Sequence, residues 1–92
     1  MAKRKERVTK VIDGDTFRTK SRPKHSVRLA NVDAPEKGKP GSAKATQALK
    51  NLIQGQQVQI NTVARDSYGR SVANVKVNTK SVNKAMNQKL KK

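Results

Sequence analysis

Apolar and polar residues alternate in five short stretches of the chain, which is the pattern of half-buried β-strands. The stretches are residues 7–12, 16–20, 26–32, 57–64 and 71–77. In the third of them, Val27 and Leu29 fall on one face and Arg28 falls on the other. Turn-forming residues separate the stretches, so we predict five strands joined by polar loops.

Two further segments place apolar residues at helical spacing. The first is predicted to begin at Ser42, whose hydroxyl suits an N-cap, and to end near Gln54, before Gly55. Its inward face consists of Ala45, Ala48, Leu49, Leu52 and Ile53. The second is predicted over residues 82–90, with Ser81 as its cap. Its inward face consists of Val82, Ala85, Met86 and Leu90.

This order of elements predicts an α+β fold that is mainly β. Five short strands, with a helix after strand three and a C-terminal helix, suit a five-stranded Greek-key barrel of the OB type. A generic α+β roll is the alternative. The 92 residues suit one domain. Within it we expect a basic N-terminal arm at residues 1–6 and the folded domain at residues 7–92.

The charge of the chain indicates a polyanionic partner. There are 22 Lys and Arg residues against six Asp and Glu, which gives a net charge of +16. Nucleic acid is the first candidate, and an anionic membrane surface is the second. No apolar run is long enough to cross a bilayer, and no basic amphipathic helix carries large apolar residues, so we expect no membrane contact. The basic segments 3–7 and 89–92 suit phosphates, although such runs are usually solvated tails.

The residues that are missing also exclude chemistry. The chain has no Cys and a single histidine, His25, so disulfides, thiolate metal sites and a zinc site built on imidazoles are excluded. His25 lies in a polar loop and is expected to be a surface residue. The basic N-terminus is followed by no apolar stretch and is not a signal peptide. We therefore expect a cytoplasmic protein, or a secreted one if a leader was removed. We also expect a monomer.

The few acidic residues concentrate in loops at strand ends. Asp13 and Asp15 share one loop, Asp33 and Glu36 a second, and Asp66 lies in a third. If the first two loops meet on one rim of the barrel, carboxylates about 4 Å apart repel by about 4 kcal/mol at an effective dielectric of about 20. Protonation, arginines or a hard cation such as Ca²⁺ or Mg²⁺ would offset that repulsion. The plain alternative is ordinary turns, in which Asp bonds its own backbone and Gly supplies a positive φ.

Four pieces of sequence, in one order, carry a resemblance to a known family. They are VIDGDTFR (11–18), VRLANVDAPE (27–36), DSYGR (66–70) and SVN (81–83), which opens the last helix. With these pieces the chain resembles the thermonuclease family, the staphylococcal-nuclease-like domains, over most of its length. The resemblance implies an OB-type barrel whose Ca²⁺-dependent phosphodiesterase site acts on DNA and RNA.

The resemblance also implies a metal site, residue by residue. Asp15 and Asp33 match the calcium-binding aspartates of the family. Ala34 holds the place whose backbone carbonyl also reaches the metal; the family often has Thr there, but a carbonyl ligand tolerates Ala. Asp13 matches an acid that lies close to the metal.

Four more residues match positions that act on the substrate. Glu36 matches the glutamate proposed as general base, and Arg28 and Arg70 match the arginines that hold the scissile phosphate. Tyr68 matches a tyrosine that contacts a nucleotide phosphate. The familiar enzyme of the family has a further base-stacking tyrosine after its last matched helix, whereas no tyrosine follows Tyr68 here, so substrate binding is expected to depend more on charge.

These observations lead to one expected function and one alternative. The first is a calcium-dependent, sequence-nonspecific phosphodiesterase that hydrolyses DNA and/or RNA and leaves 3′-phosphates. The alternative is a non-catalytic basic OB-type module that binds nucleic acid. Relatives that have lost activity lose acids or arginines of the site, and the matching positions here retain all of them.

Overall fold

Six strands and two helices form within residues 3–21, 24–35, 38–67 and 69–90, the parts of the chain that this computed structural model describes. In chain order they are β1 (Lys3–Asp13), β2 (Thr16–Thr19), β3 (Ser26–Leu29), α1 (Ser42–Ile53), β4 (Gln57–Arg65), β5 (Ser71–Val77), β6 (Lys80–Ser81) and α2 (Val82–Leu90). In this described part, neither helix has the length and apolar character needed to cross a membrane.

The first five strands close into a barrel. β1 pairs with β2 and β4, β2 pairs with β3, and β4 pairs with β5, all in antiparallel fashion. The barrel closes where β3 pairs with β5 in parallel, and we call this pairing the seam. The two-residue strand β6 adds to the outer side of β5. The predicted OB-type barrel, with a helix after the third strand and another at the end, is therefore confirmed.

β1 is longer than we predicted, because it begins at Lys3 rather than at Arg7. Its first residues pair with β4, so the stretch that we assigned to a basic N-terminal arm is part of the sheet from Lys3 onward. Glu6 points inward and is only 5% exposed. Its carboxylate accepts a hydrogen bond from the Thr19 hydroxyl and pairs with the Arg4 guanidinium. The inward-facing Glu6 forms an ion pair within a basic run, so this part of the chain lacks the apolar alternation by which a strand is predicted.

One other predicted boundary and one predicted cap are wrong. β3 ends at Leu29 rather than at residue 32, because the chain turns at Asn31, whose φ is 59°. Ser42 is not the N-cap of α1 but its first, buried residue. Gly41 occupies the cap position with a φ of 86°, and no side chain caps the helix there. The left-handed glycine makes the turn that a capping side chain would otherwise stabilise.

The core fills the barrel and the space beneath the two helices. Its largest fully buried side chains are Phe17, Leu29, Leu49, Ile53, Ile60 and Met86. All residues of the two predicted helix faces are buried or pack against this core. The predicted cap of α2 is also confirmed, because the Ser81 hydroxyl accepts a hydrogen bond of 3.2 Å from the Lys84 N–H.

Asn83, a buried polar residue on α2, fastens the helix to the seam. Its side-chain oxygen accepts a hydrogen bond of 2.8 Å from the Val75 N–H. Its amide nitrogen donates to the carbonyl of Ala30 at 2.9 Å and to that of Ala73 at 3.0 Å. The Ala30 N–H also donates to the Ala73 carbonyl, at 2.8 Å. One carboxamide thus bonds three backbone groups where β3 ends, of which the Ala73 carbonyl also has the Ala30 N–H as a donor.

Candidate functional site

The turn between β1 and β2 holds Asp15 in a fixed, buried position. The carboxylate of Asp13 accepts a hydrogen bond of 3.1 Å from the Asp15 N–H, which closes the turn. Asp15 is 8% exposed. Its Oδ1 accepts a hydrogen bond of 2.9 Å from the hydroxyl of Thr16. This role of Thr16 was not predicted, and its position directly after the motif DGD is the sequence signal for it.

Gly14 is required for space rather than for an unusual backbone conformation. Its φ is not among the positive values of the described glycines. A Cβ placed on it would lie 2.6 Å from the Cβ of Ala45 and 2.7 Å from the Cβ of Ala34. The plain alternative, an ordinary turn in which Gly supplies a positive φ, therefore does not hold for Gly14. The absence of a side chain lets the turn lie directly on α1 and on the loop that follows β3.

That loop, residues 30–35, contacts Asp15 directly. The Ala34 N–H donates a hydrogen bond of 3.3 Å to Asp15 Oδ2. The Leu29 N–H, at the end of β3, donates to the Asp15 backbone carbonyl at 2.8 Å. Asp33 is exposed. The two acidic loops therefore meet at one rim of the barrel, with a buried carboxylate from the first and an exposed one from the second.

Arg28 lies at the same rim, on β3, which is between β2 and β5. On β3 it pairs with Thr16 of β2 on one side and with Val72 of β5 on the other. Its guanidinium lies 3.5 Å from Asp15 Oδ2 and donates to the Val32 carbonyl at 3.2 Å. A half-buried, permanently positive group thus borders the buried carboxylate.

Arg70 lies in the last turn before β5 and is held there by Asp66. The Asp66 carboxylate accepts a hydrogen bond of 2.9 Å from the Arg70 N–H and pairs with Arg70 Nε at 2.6 Å. The turn places Arg70 two residues before Val72, the seam partner of Arg28. Asp66 was predicted only to be an acidic loop residue, not a partner of Arg70. The four-residue spacing of Asp and Arg across the glycine-containing turn DSYGR was the signal for this contact.

Ionisation of Asp15 is unfavourable in the folded chain. Burial raises the pKa of Asp15 above its ordinary value, and the hydrogen bond and charge of Asp13 raise it further. The hydrogen bonds from Thr16 and from the Ala34 backbone oppose the increase only in part. A nearby cation would therefore favour the ionised form of Asp15.

The donor atoms at the rim fit a hard cation, although the described residues alone do not complete a metal site. Within residues 3–21, 24–35, 38–67 and 69–90, no group of three Asp, Glu, His or Cys side chains is close enough to hold an ion. The candidates there are the carboxylates of Asp15 and Asp33 and the carbonyl of Ala34, and oxygen is the donor that Ca²⁺ prefers. Glu36 and Tyr68 lie outside the described residues, so their predicted roles stay predictions.

Comparison with known proteins decides the family. The family model described as "Staphylococcal nuclease homologue" matches residues 26–89 of the chain. The chain belongs to this family. The match begins at the strand that carries Arg28 and runs almost to the end of α2. It therefore includes both acidic loops after β2, the seam and Asn83.

Several curated relatives share the family's sequence with this chain. A protein of Escherichia coli O157:H7 named as an uncharacterized endonuclease is 40% identical over 70 residues, which cover 75% of this chain and 46% of the relative. A Haemophilus influenzae protein with the same name is 35% identical over 82 residues, covering 87% and 46%. The micrococcal nuclease of Shigella flexneri is 39% identical over 66 residues, covering 71% and 38%. This chain thus spans about half the length, or less, of these relatives.

Proposed function

We propose that this chain is a calcium-dependent, sequence-nonspecific phosphodiesterase that hydrolyses DNA and/or RNA and leaves 3′-phosphates. The observation that carries the proposal is the meeting of Asp15, the Ala34 loop and Arg28 at one rim. An oxygen-rich anionic centre next to a guanidinium suits a cation and a phosphate side by side. Membership of a family with relatives named as nucleases supports the same conclusion.

The proposed calcium ligands are Asp15, Asp33 and the carbonyl of Ala34. Asp13 would act through the turn, because its hydrogen bond to the Asp15 N–H fixes the direction of the Asp15 carboxylate. When bound, Ca²⁺ would neutralise charge on the substrate phosphate. Asp15 is already desolvated and held by Thr16 and Ala34, so its carboxylate would need little reorganisation to take this role.

Arg28 and Arg70 are proposed to hold the scissile phosphate. A guanidinium presents several N–H donors in one plane, which matches the oxygens of a phosphate and stabilises charge that grows in the transition state. Both side chains are half-buried in the described structure, Arg28 beside Asp15 and Arg70 beside Asp66. Partial burial strengthens their attraction for an anion compared with fully solvated lysines.

Glu36 and Tyr68 complete the proposal by their positions in the family motif. Glu36 is proposed to accept a proton from the attacking water, and Tyr68 to contact a nucleotide phosphate. The net charge of +16 would add sequence-independent attraction for the substrate. A single chain supplies every residue in this scheme, so we propose that a monomer is sufficient.

A cleavage assay with plasmid DNA and single-stranded RNA tests the function. We expect both to be cut with Ca²⁺ and to stay intact with a chelator. Glu36→Gln should slow cleavage about 100-fold or more, because the base is lost and the shape is kept, and should leave binding unchanged. Intact substrates with Ca²⁺, together with strong gel shifts, would instead indicate the non-catalytic binding module. A Glu36→Gln variant as fast as the wild type would exclude the proposed base.

Asp66→Asn is expected to lower kcat about tenfold or more with little change in KM. The amide still accepts the bond from the Arg70 N–H but loses the ion pair to Nε, so the guanidinium is no longer held in place. Kinetics on a short oligonucleotide measure the effect, and thermal unfolding shows whether the fold is kept. Ser67→Ala, at an exposed position in the same turn, is the matched control. An equal loss in both variants would rule out a positioning role for Asp66.

A further inference from the structure

The outer face of β1, β4 and β5 carries a second concentration of positive charge, well away from the candidate site. We call it the amide face and define it by Lys5, Arg7, Gln57, Gln59, Asn61 and Lys76. Two adjoining clefts of about 340 and 320 Å³ open onto it, and both are lined by Gln59 and Lys76. At about 3.3 Å per residue, Lys5 lies more than about 20 Å along β1 from Asp13.

The strand register places cations and carboxamides in rows across this face. Lys5 of β1 lies opposite Gln59 of β4, and Gln59 lies opposite Lys76 of β5. In the next row Arg7 lies opposite Gln57. Cross-strand neighbours have Cβ atoms about 4.5–5.5 Å apart, so each carboxamide lies within reach of a flanking cation.

No carboxylate among the described residues lines either cleft. Glu6, the acid nearest in sequence, points to the opposite side of β1, where it meets Thr19 and Arg4. Arg7 donates one hydrogen bond of 2.7 Å to the Gly55 carbonyl and keeps its other donors. The amide face is therefore positive without internal compensation, which favours an anionic ligand.

The carboxamides of the amide face indicate which class of anionic ligand fits it. A carboxamide offers both a donor and an acceptor, which is what the edges of nucleobases need. Asn61 lines one cleft and adds a further carboxamide to it. Base edges are free in a single strand and hidden in a duplex. Alternating phosphates and bases would therefore match alternating cations and amides.

We propose that the amide face binds a single-stranded nucleic acid segment, with phosphates on Lys5, Arg7 and Lys76 and base edges on the carboxamides. Binding there requires neither hydrolysis nor a metal ion. It would hold a long substrate on the side of the barrel remote from Asp15. The two sites would then bind different parts of one strand.

Fluorescence anisotropy with a labelled 12-nucleotide single strand, in chelator and over a range of salt concentrations, tests the proposal. The double variant Lys5→Gln/Lys76→Gln should bind about tenfold more weakly. The slope of log affinity against log salt concentration should become less steep by about 1.4, or about 0.7 for each lost phosphate contact. Lys50→Gln/Lys84→Gln removes the same charge from exposed positions on the two helices and should change affinity less than about twofold. Equal losses in the two double variants would overturn the proposal.

Gln59→Ala separates base contacts from general attraction. It should weaken single-strand binding severalfold without changing the salt dependence, because no charge is removed. A 12-base-pair duplex should bind more weakly than the single strand. Unchanged affinity in Gln59→Ala, or an acidic peptide that binds the wild type as well as the single strand does, would overturn the nucleic-acid assignment. Because the assay contains chelator, these outcomes are independent of whether the chain cleaves its substrate.

Discussion

Asp15→Asn should slow phosphodiester cleavage by about 100-fold or more and leave the fold at least as stable as that of the wild type. The loss of activity follows if Asp15 is a calcium ligand, because an amide is a much weaker ligand for a hard cation than a carboxylate. Cleavage of a short oligonucleotide at saturating Ca²⁺ measures this loss. Calorimetry should show weaker calcium uptake in the variant.

The stability result follows from the surroundings of Asp15. Burial and Asp13 raise the pKa of Asp15 in the folded chain above its ordinary value of 3.8, so above the raised pKa the ionised group is better accommodated in the unfolded chain. The wild type therefore gains stability as the pH falls through this raised pKa, and the variant does not. The asparagine oxygen accepts the Ala34 N–H, and its amide donates to Thr16, so the two hydrogen bonds are kept.

Urea unfolding in chelator at neutral and mildly acidic pH measures this effect. Asp33→Asn is the control, because Asp33 is a proposed ligand on an exposed position. It should lose activity with no gain in stability. A clear fall in the unfolding free energy of Asp15→Asn would show that the carboxylate charge stabilises the fold, and full activity would remove Asp15 from the metal site.

Asn83→Ala is expected to lower the free energy of unfolding by about 2 kcal/mol or more. The substitution leaves two buried backbone groups, the Val75 N–H and the Ala30 carbonyl, without the partner they have now, whereas the Ala73 carbonyl keeps its bond from the Ala30 N–H. Each buried polar group left unpaired costs about 1–3 kcal/mol, and partial pairing with water lowers the sum. Small domains have total stabilities of about 5–15 kcal/mol, so much of the barrel's stability depends on this residue.

Asn87→Ala is the matched control for this change. Asn87 lies one turn further along α2, and its amide makes an exposed hydrogen bond of 3.1 Å to the Asn31 carbonyl. Its removal should change stability by less than about 0.5 kcal/mol. Urea unfolding of both variants gives the comparison. Similar small losses in the two would mean that solvent replaces the Asn83 side chain at the seam.

The strands and helices were predictable where local pattern decides them. Alternation of Val, Ile and Leu located the five barrel strands, and helical spacing located both helix faces. The start of β1 was not predictable in this way, because its inward side is occupied by charged residues such as Glu6 that pair with each other. The seam joins segments that are distant in sequence. The hydrogen bonds of Asn83 to the seam were therefore not predictable from the local sequence around Asn83.

The candidate site was likewise predictable from the sequence only in part. The grouping of acids at strand ends predicted that the first two acidic loops meet, and the hydrogen bond between Ala34 and Asp15 agrees with it. The reason for Gly14 depends on how closely α1 approaches, which a turn motif does not encode. The ion pair between Asp66 and Arg70 was not predicted, because it depends on the folded conformation of the turn. The roles of Glu36 and Tyr68 remain predictions from motif position.

The parallel seam affects how far the chain can fold while it is being synthesised. Pairing β3 with β5 closes a long loop, which is entropically costly and is therefore a slow event in folding. This closure joins β3, which carries Arg28, to β5, which directly follows Arg70, and the residue that locks it, Asn83, is synthesised later still. A nascent chain on the ribosome, surrounded by RNA, thus carries Arg28 long before Arg70 has been synthesised. The order of synthesis delays assembly of the proposed phosphate clamp until almost the whole barrel has been translated.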